Sequence, residues 1–68
     1  MKIIGWLLVM GFLSPEDGLV HVDYSRSIRF DQQFQCEDTK NDEMVLLSYR
    51  AVYEKQGDFR IWCEPIVK

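Results

Sequence analysis

The sequence predicts an all-β fold of about five antiparallel strands, curled into a small barrel or a compact sandwich. Two observations favour this class. Apolar and polar residues alternate with a period of two along most of the chain, and clusters of turn-forming residues separate the alternating stretches. The 68 residues form one predicted domain, residues 1–68, close to the lower size limit for a stable core. The strands are predicted near residues 3–12, 19–25, 27–36, 44–54 and 59–67.

The N-terminal segment fits either a buried strand or a secretory signal peptide. Lys2 followed by apolar residues from Ile3 to Leu13 is the charge-then-hydrophobic order of a signal peptide. A cleavage site is missing, however, because no small-x-small pair follows and Pro15 is unfavourable directly after a cut. The segment is also shorter than the roughly 20 residues of a membrane helix, so no membrane span is expected. We predict that residues 1–13 are retained as a buried strand, with a cleaved signal peptide as the alternative.

The stretch from Val20 to Cys36 shows the most regular alternation. Its even-numbered positions are mostly apolar, whereas its odd-numbered positions, which include the single histidine, His21, are mostly polar. A run this long predicts half-buried strands with the even-numbered residues in the core and His21 at the surface. A bend near residues 25–27 is expected to divide the run into two strands.

The predicted loop lengths are consistent with these faces. A five-residue loop, Ser14 to Gly18, would set Phe12 opposite Val20 and Met10 opposite Val22, so that apolar residues share one face. The shorter loop before the last strand likewise pairs apolar positions with apolar positions.

Residues 40–55 fit both a strand and a helix. The odd-numbered positions from Val45 to Tyr53 are all apolar, as on one face of a strand. A helix would be capped by Thr39, carry acidic residues such as Asp42 in its first turn, and end at Gly57. Polar residues interrupt the apolar arc of that helix on both sides, so a strand is predicted here and a helix is the alternative.

A spaced motif in the C-terminal half resembles a known family. The motif reads Thr39…Glu43-x-Val45-x-x-x-Tyr49-x-Ala51-x-Tyr53, then Trp62-x-x-Pro65. It resembles the C-terminal signature of a bacterial family of short β-domains of unknown function. The resemblance covers about residues 37–66, and Cys63-Glu64 replaces the valine and arginine that the family has before the proline. It implies a small SH3-like barrel and no activity.

The charge balance argues against general nucleic-acid binding. Eight basic residues face eleven acidic ones, for a net charge of −3, and no basic run is present. Binding to a nucleic-acid backbone needs a positive field. The acidic run from Glu37 to Glu43 is typical of a solvated loop, and it lacks the alternating spacing of a calcium loop.

No motif in the chain predicts an enzyme, a cofactor or a metal site. His21 has no nucleophile and orienting acid in a recognisable pattern around it. Cys36 and Cys63 lie 27 residues apart and both fall on the predicted core-facing phase. They are either a disulfide, typical of an oxidising compartment, or two packed thiols, typical of the cytoplasm. A disulfide would stabilise the fold by about 3 kcal/mol.

The remaining face of the last two predicted strands is the candidate binding surface. Half of its residues are apolar, and it includes a tryptophan between an arginine and a glutamate, the composition of an interface hot spot. We expect the segment Ile3 to Leu13 to cover this face; a different protein or a second copy in a homodimer is the alternative. The predicted binding residues are Trp62, Arg60, Arg50, Leu46, Met44 and Glu64.

These observations predict a small, acidic, cytoplasmic interaction module that is not an enzyme and acts by binding another protein. An inhibitor or accessory role is suggested by analogy from size and acidity alone. One alternative is an exported small protein stapled by a Cys36–Cys63 disulfide. Another is a weak single-stranded nucleic-acid-binding barrel that stacks bases on its aromatic residues, which the negative charge disfavours.

Overall fold

Two helices pack on one face of a three-stranded antiparallel sheet. The computed structural model describes residues 1–68, and the strand order in the sheet is β2-β1-β3. The prediction of five strands in an all-β barrel or sandwich, including the SH3-like barrel, is therefore wrong, and the fold is α+β with an open sheet. The elements are β1 (Ile3–Leu13), β2 (Val20–Phe30), α1 (Gln33–Lys40), α2 (Glu43–Tyr53) and β3 (Asp58–Val67).

The apolar N-terminal segment forms the central strand. β1 pairs with β2 along one side and with β3 along the other, both antiparallel. Leu8, Val9 and Met10, three consecutive residues whose side chains alternate between the two faces, have no exposed surface. A strand buried on both faces has a continuous apolar sequence, which explains why this segment looks like a signal peptide. Loss of residues 1–13 would remove the strand that joins β2 to β3.

The core lies between the sheet and the two helices. Its fully buried centre consists of Leu8 and Met10 from β1, Cys36 from α1 and Tyr53 from α2. The odd-numbered residues of β3 face this core, as the alternation indicates. The half-buried residues around the centre are Trp6, Phe12, Ile28, Phe30, Tyr49, Phe59, Ile61 and Cys63.

The segment predicted as a strand over 44–54 is helix α2. Its N-cap is Asp42, whose carboxylate accepts hydrogen bonds from the backbone N–H of Met44 at 2.9 Å and of Val45 at 3.4 Å. Tyr49 and Tyr53, one helical turn apart, both pack against the core. Leu47, which a strand would have buried on the same face, is 61% exposed. The Asp42 cap and the core contacts of Tyr49 and Tyr53 therefore favour a helix here, although the sequence also alternates with a period of two.

The chain also leaves the sheet earlier than predicted, so the strand expected over 27–36 is wrong beyond Phe30. Helix α1 begins at Gln33, after Gln32, whose backbone N–H donates to the Gln35 side chain at 3.1 Å. α1 buries Cys36 against the core but leaves Phe34 exposed. A disulfide joins Cys36 to Cys63 of β3, with the two Cα atoms 6.3 Å apart, and so anchors α1 to the sheet.

The hairpin between β1 and β2 differs from the prediction by one residue. Phe12 lies opposite His21, and Met10 lies opposite Asp23. This register turns His21 and Asp23 toward the helices and Val22 toward the opposite face, because a slip of one residue exchanges the two faces of a strand. The loop is longer than expected.

The longer loop has a local cause. Gly18 adopts φ of 71°, and the Asp17 carboxylate accepts a hydrogen bond from the Leu19 backbone at 2.9 Å. The expected bend near residues 25–27 appears as a register irregularity inside one continuous strand. Beyond it Ile28 and Phe30 face the core as predicted.

Candidate functional site

The six predicted binding residues lie on opposite sides of the molecule. Arg60, Trp62 and Glu64 are on β3 and face away from the helices. Met44, Leu46 and Arg50 belong to α2, on the other side of the sheet. The structure therefore does not bring the two groups together, because residues 43–53 form a helix instead of a strand beside β3.

We define the open face as the sheet face opposite the two helices. The segment Ile3 to Leu13, expected to cover Trp62, instead lies in the sheet as its central strand, so that expectation is wrong. Both helices pack on the other face, against Leu8 and Met10. By the strand registers, and for Tyr24 by its hydrogen bond to Glu64, the open face contains Gly5, Leu7, Val9, Gly11, Leu13, Val20, Val22, Tyr24, Arg29, Asp58, Arg60, Trp62, Glu64 and Ile66.

The centre of the open face is a hydrogen-bonded cluster of Tyr24, Trp62 and Glu64. The Glu64 carboxylate accepts a hydrogen bond from Trp62 Nε1 at 2.8 Å. It also accepts from the Tyr24 hydroxyl, at 3.2 Å to one oxygen and 3.3 Å to the other. Tyr24 is on β2 and Glu64 is on β3, so this bond passes over β1 and links the two outer strands.

This cluster shields the central strand where no helix does. Val9, the cross-strand partner of Trp62, is on the open face yet is completely buried. Tyr24 remains 54% exposed, and Trp62 and Glu64 are half-buried. The cluster therefore stabilises the sheet and also presents aromatic surface to the solvent.

The local electrostatics keep the Tyr24 hydroxyl protonated. Partial burial raises the pKa of Tyr24, and the negative charge of Glu64 and its hydrogen bond raise it further. A phenol with a raised pKa is a hydrogen-bond donor and a poor nucleophile at neutral pH. The hydrogen bond to Glu64 therefore holds the Tyr24 ring in a fixed orientation on the open face.

Arginines lie at both edges of the open face. Arg29 of β2 donates from Nη2 to the Ile4 carbonyl at 3.2 Å. Gly5 makes room for it, since a Cβ there would lie 3.1 Å from Arg29 Nη2. Arg60 of β3 is exposed, and its guanidinium lies 4.0 Å from the Asp58 carboxylate. An exposed pair at this distance contributes little to stability. Arg60 Nη1 also donates to the Phe59 carbonyl at 3.2 Å.

A second polar contact lies on the helix-covered face. The buried Tyr53 donates from its hydroxyl to the Asp23 carboxylate at 2.7 Å. Hydrogen bonds from Ser25 and then Tyr53 lower the pKa of Asp23, while burial first and the bond to Asp23 second raise the pKa of Tyr53 to about 12. This contact ties α2 to β2.

His21 is exposed, as predicted, although the observed register turns it toward the helices. Its ring stacks on Phe12 with the centroids 5.1 Å apart, and Nε2 lies 2.8 Å from the Asp17 carboxylate. These contacts pin the loop before β2.

Sequence reasoning missed Tyr24, which it had placed in the core with Val20 and Val22. The alternation shows that Val20, Val22 and Tyr24 share a face of β2. Which face of the sheet this is depends on the register of β2 with β1. The Asp17-Gly18 pair was the one local signal for a longer loop, because both residues favour turns.

The Tyr24–Glu64–Trp62 cluster lines no cleft, whereas Leu13 and Val22, also on the open face, each line one. The structure contains four surface clefts, and none includes Trp62, Tyr24 or Glu64. A small ligand needs a cleft that buries most of its surface, whereas a flat surface suits a macromolecule.

Comparison with known proteins adds no assignment: no family model, curated protein or solved structure matches the chain. Neither helix has the length and apolar character needed to cross a membrane.

Proposed function

We propose that this protein is a non-enzymatic binding domain that engages another protein with its open face. The observation that carries the proposal is the Tyr24–Glu64–Trp62 cluster, half-exposed at the centre of a sheet face that no other element covers. Tyrosine, tryptophan and arginine are the residues that dominate interface energetics. Their hydrogen bonds pre-order the side chains, which reduces the entropy lost on binding.

The chemistry of the cluster supports a protein partner over a nucleic acid. Both rings could stack on bases, but the Glu64 carboxylate lies between them and would repel phosphates. The net charge of −3 adds to that repulsion. A complementary protein surface has an apolar centre, to cover the two rings, and a polar rim. An inhibitor or accessory role for such binding still rests on size and acidity alone.

The test is partner capture with matched variants on the two faces. Immobilised wild-type chain is compared with Trp62→Ala and with Leu47→Ala, which removes an exposed apolar side chain from α2. We expect Trp62→Ala to lose a specific partner that Leu47→Ala retains, with both variants folded by circular dichroism. NMR shifts caused by the purified partner should then map to β1, β2 and β3 on the open face. Equal retention by both variants would reject the proposal.

The disulfide supports a location in an oxidising compartment, the exported alternative, over the cytoplasmic prediction. We propose that the Cys36–Cys63 bond forms where the protein works, because structural disulfides persist outside the reducing cytoplasm. Residues 1–13 stay on the chain in this proposal, since β1 is the central strand.

Intact mass of the native protein, after alkylation with and without reductant, tests the location. If the protein is exported, Cys36 and Cys63 should not be alkylated until their disulfide is reduced. The protein should also be recovered outside the cytoplasm. Two alkylated cysteines without reductant, in protein recovered from its native compartment, would contradict it.

A further inference from the structure

The outer edge of β3 leaves backbone groups without partners in the chain. Lys68, directly after β3, exchanges both backbone hydrogen bonds with Lys2, at 3.2 and 2.9 Å. The register shift between Ile3 and Gly5 adds its extra residue to β1, so the period of two continues along β3. Even-numbered residues of β3 therefore bond to β1 and odd-numbered residues point outward. Pro65, which has no N–H, fits this outward set. The outward N–H groups belong to Phe59, Ile61, Cys63 and Val67, and no loop or turn bonds to them. Of the outward carbonyls, that of Phe59 accepts from Arg60 Nη1 at 3.2 Å.

The opposite edge of the sheet, along β2, is interrupted. Its register with β1 breaks between Asp23 and Ile28. Within the break, the Asp23 carboxylate accepts from the Ser25 backbone at 3.1 Å, and the Ser27 hydroxyl donates to the Tyr24 carbonyl at 2.8 Å. Irregularities of this kind prevent pairing with another chain. By contrast, the pairing of β3 with β1 is continuous from Asp58 to Pro65, so β3 is the available edge.

We propose that two copies of this chain associate by antiparallel pairing of β3 with β3, about a two-fold axis at Trp62. In this register Arg60 lies opposite the partner's Glu64, and Glu64 lies opposite the partner's Arg60. Trp62 lies opposite the partner's Trp62, on the same open face. Opposite charges and aromatic residues directly across from each other stabilise a strand pair.

The charge pattern selects this register over its neighbours. An axis at Ile61 would set Asp58 against the partner's Glu64, two like charges, and Arg60 against the partner's Trp62. An axis at Cys63 would set Trp62 against the partner's Glu64 and leave Arg60 opposite an apolar residue. The segment Arg60-Ile-Trp-Cys-Glu64 is self-complementary in charge only about its central tryptophan.

The backbone geometry fits the same arrangement. Even-numbered residues such as Trp62 would form non-hydrogen-bonded pairs, in which cross-strand side chains are closest. Ile61 and the partner's Cys63 would exchange backbone hydrogen bonds, whereas Phe59 and the partner's Pro65 share one because proline has no N–H. Glu64 can accept from the partner's Arg60 while keeping its own bonds, since a carboxylate has about four acceptor sites. The inference rests on the edge of β3, and Trp62 and Glu64, which the dimer pairs, also belong to the cluster of the open face.

Sedimentation velocity of the oxidised full chain, over a wide concentration range, tests the dimer. We expect a reversible dimer whose dissociation constant rises about tenfold or more in Arg60→Glu and in Glu64→Arg, because both cross-strand ion pairs become like-charge contacts. An equimolar mixture of the two variants should restore the dimer, since opposite charges then face each other again. Arg50→Glu makes the same charge change on α2 and should leave dimerisation unchanged.

Two results would overturn the inference: a monomer at every concentration, or a dimer that Arg60→Glu does not weaken relative to Arg50→Glu. Glu64→Arg also removes the internal bonds to Tyr24 and Trp62, so its fold is checked by circular dichroism. If that variant unfolds, the comparison of Arg60→Glu with Arg50→Glu decides, because both arginines are exposed.

Discussion

The two faces of the sheet bury adjacent residues of the same strand by different means. Leu8 faces the helices and is enclosed by α1, α2 and the disulfide between α1 and β3. Val9 faces the open side and is equally buried, but its cover is the aromatic cluster of the sheet itself. A central strand that is apolar on both faces therefore does not need a second layer of helices. Here Tyr24 and Trp62, joined by the Glu64 carboxylate, cover the open side of the strand, and both rings remain partly exposed.

The first comparison is between alanine substitutions of Leu8 and Val9, and Leu8→Ala should have the largest effect on the free energy of unfolding. Leu8→Ala should lower the free energy of unfolding by about 2 to 5 kcal/mol, because it leaves a cavity between the sheet and the helices. Val9→Ala should cost about 1.5 kcal/mol, near the transfer energy of the carbons removed, since Trp62 and Tyr24 can settle onto the smaller side chain. Urea denaturation of both variants measures the difference. Equal losses per carbon removed would show that the open face is as rigidly packed as the other.

The disulfide should act on the helix-covered face alone. Replacing both cysteines by serine, Cys36→Ser with Cys63→Ser, should cost about 3 kcal/mol, since the bond closes a loop of 27 residues in the unfolded chain. Hydrogen exchange should rise first in α1, which the bond anchors, and least in the pairing of β1 with β2. A uniform rise across the sheet would contradict this assignment. Reduction of the wild type is the matched control.

Trp62→Ala should have a smaller effect on stability, about 1 to 2 kcal/mol, because the side chain is half-exposed. The domain should keep its helical circular dichroism while the amide of Val9 exchanges faster. Tyr24→Phe, which keeps the ring but loses the bond to Glu64, should have the same effect on Val9 to a lesser degree. Complete unfolding of Trp62→Ala would make Trp62 a core residue and remove it from the proposed binding surface.

The remaining effects concern pH and the Tyr53–Asp23 contact. The pKa of Tyr53 is about 12 in the folded chain and near 10 when unfolded, so stability is fully present below pH 10 and falls as the pH rises toward 12. The pKa of Asp23 is lowered, so its contribution is present above about pH 4 and is lost as the pH falls further.

Tyr53→Phe tests both halves of this expectation. The substitution should remove the loss of stability that Tyr53 causes as the pH rises from 10 toward 12. It should also raise the pKa of Asp23 toward its ordinary value, as followed by NMR titration of the carboxyl carbon. Tyr49→Phe, on the same helix, is the control. An unchanged Asp23 titration in Tyr53→Phe would show that Ser25 and the charge of Arg26 lower this pKa without Tyr53.

Parts of the fold and of the site were predictable because they depend on local patterns. The apolar segment Ile3 to Leu13 is a strand, and its continuous hydrophobicity indicates burial on both faces. The alternation in β3 correctly separates the core residues from Arg60, Trp62 and Glu64. The net negative charge follows directly from the sequence. For the two cysteines, the sequence left a disulfide and two packed thiols as alternatives, and the structure contains the disulfide.

Along β3 and within each half of β2, the sequence by itself determined which residues share a face, and only the tertiary structure decided what each face meets. Residues 43–53 satisfy both a period of two and a helical pattern, and the Asp42 cap together with the core contacts of Tyr49 and Tyr53 selects the helix. The face of Tyr24 depends on a one-residue register that the Asp17-Gly18 turn sets. Periodicity is a property of neighbours in the chain, whereas the layers, the disulfide and the cluster on the open face depend on contacts between distant residues.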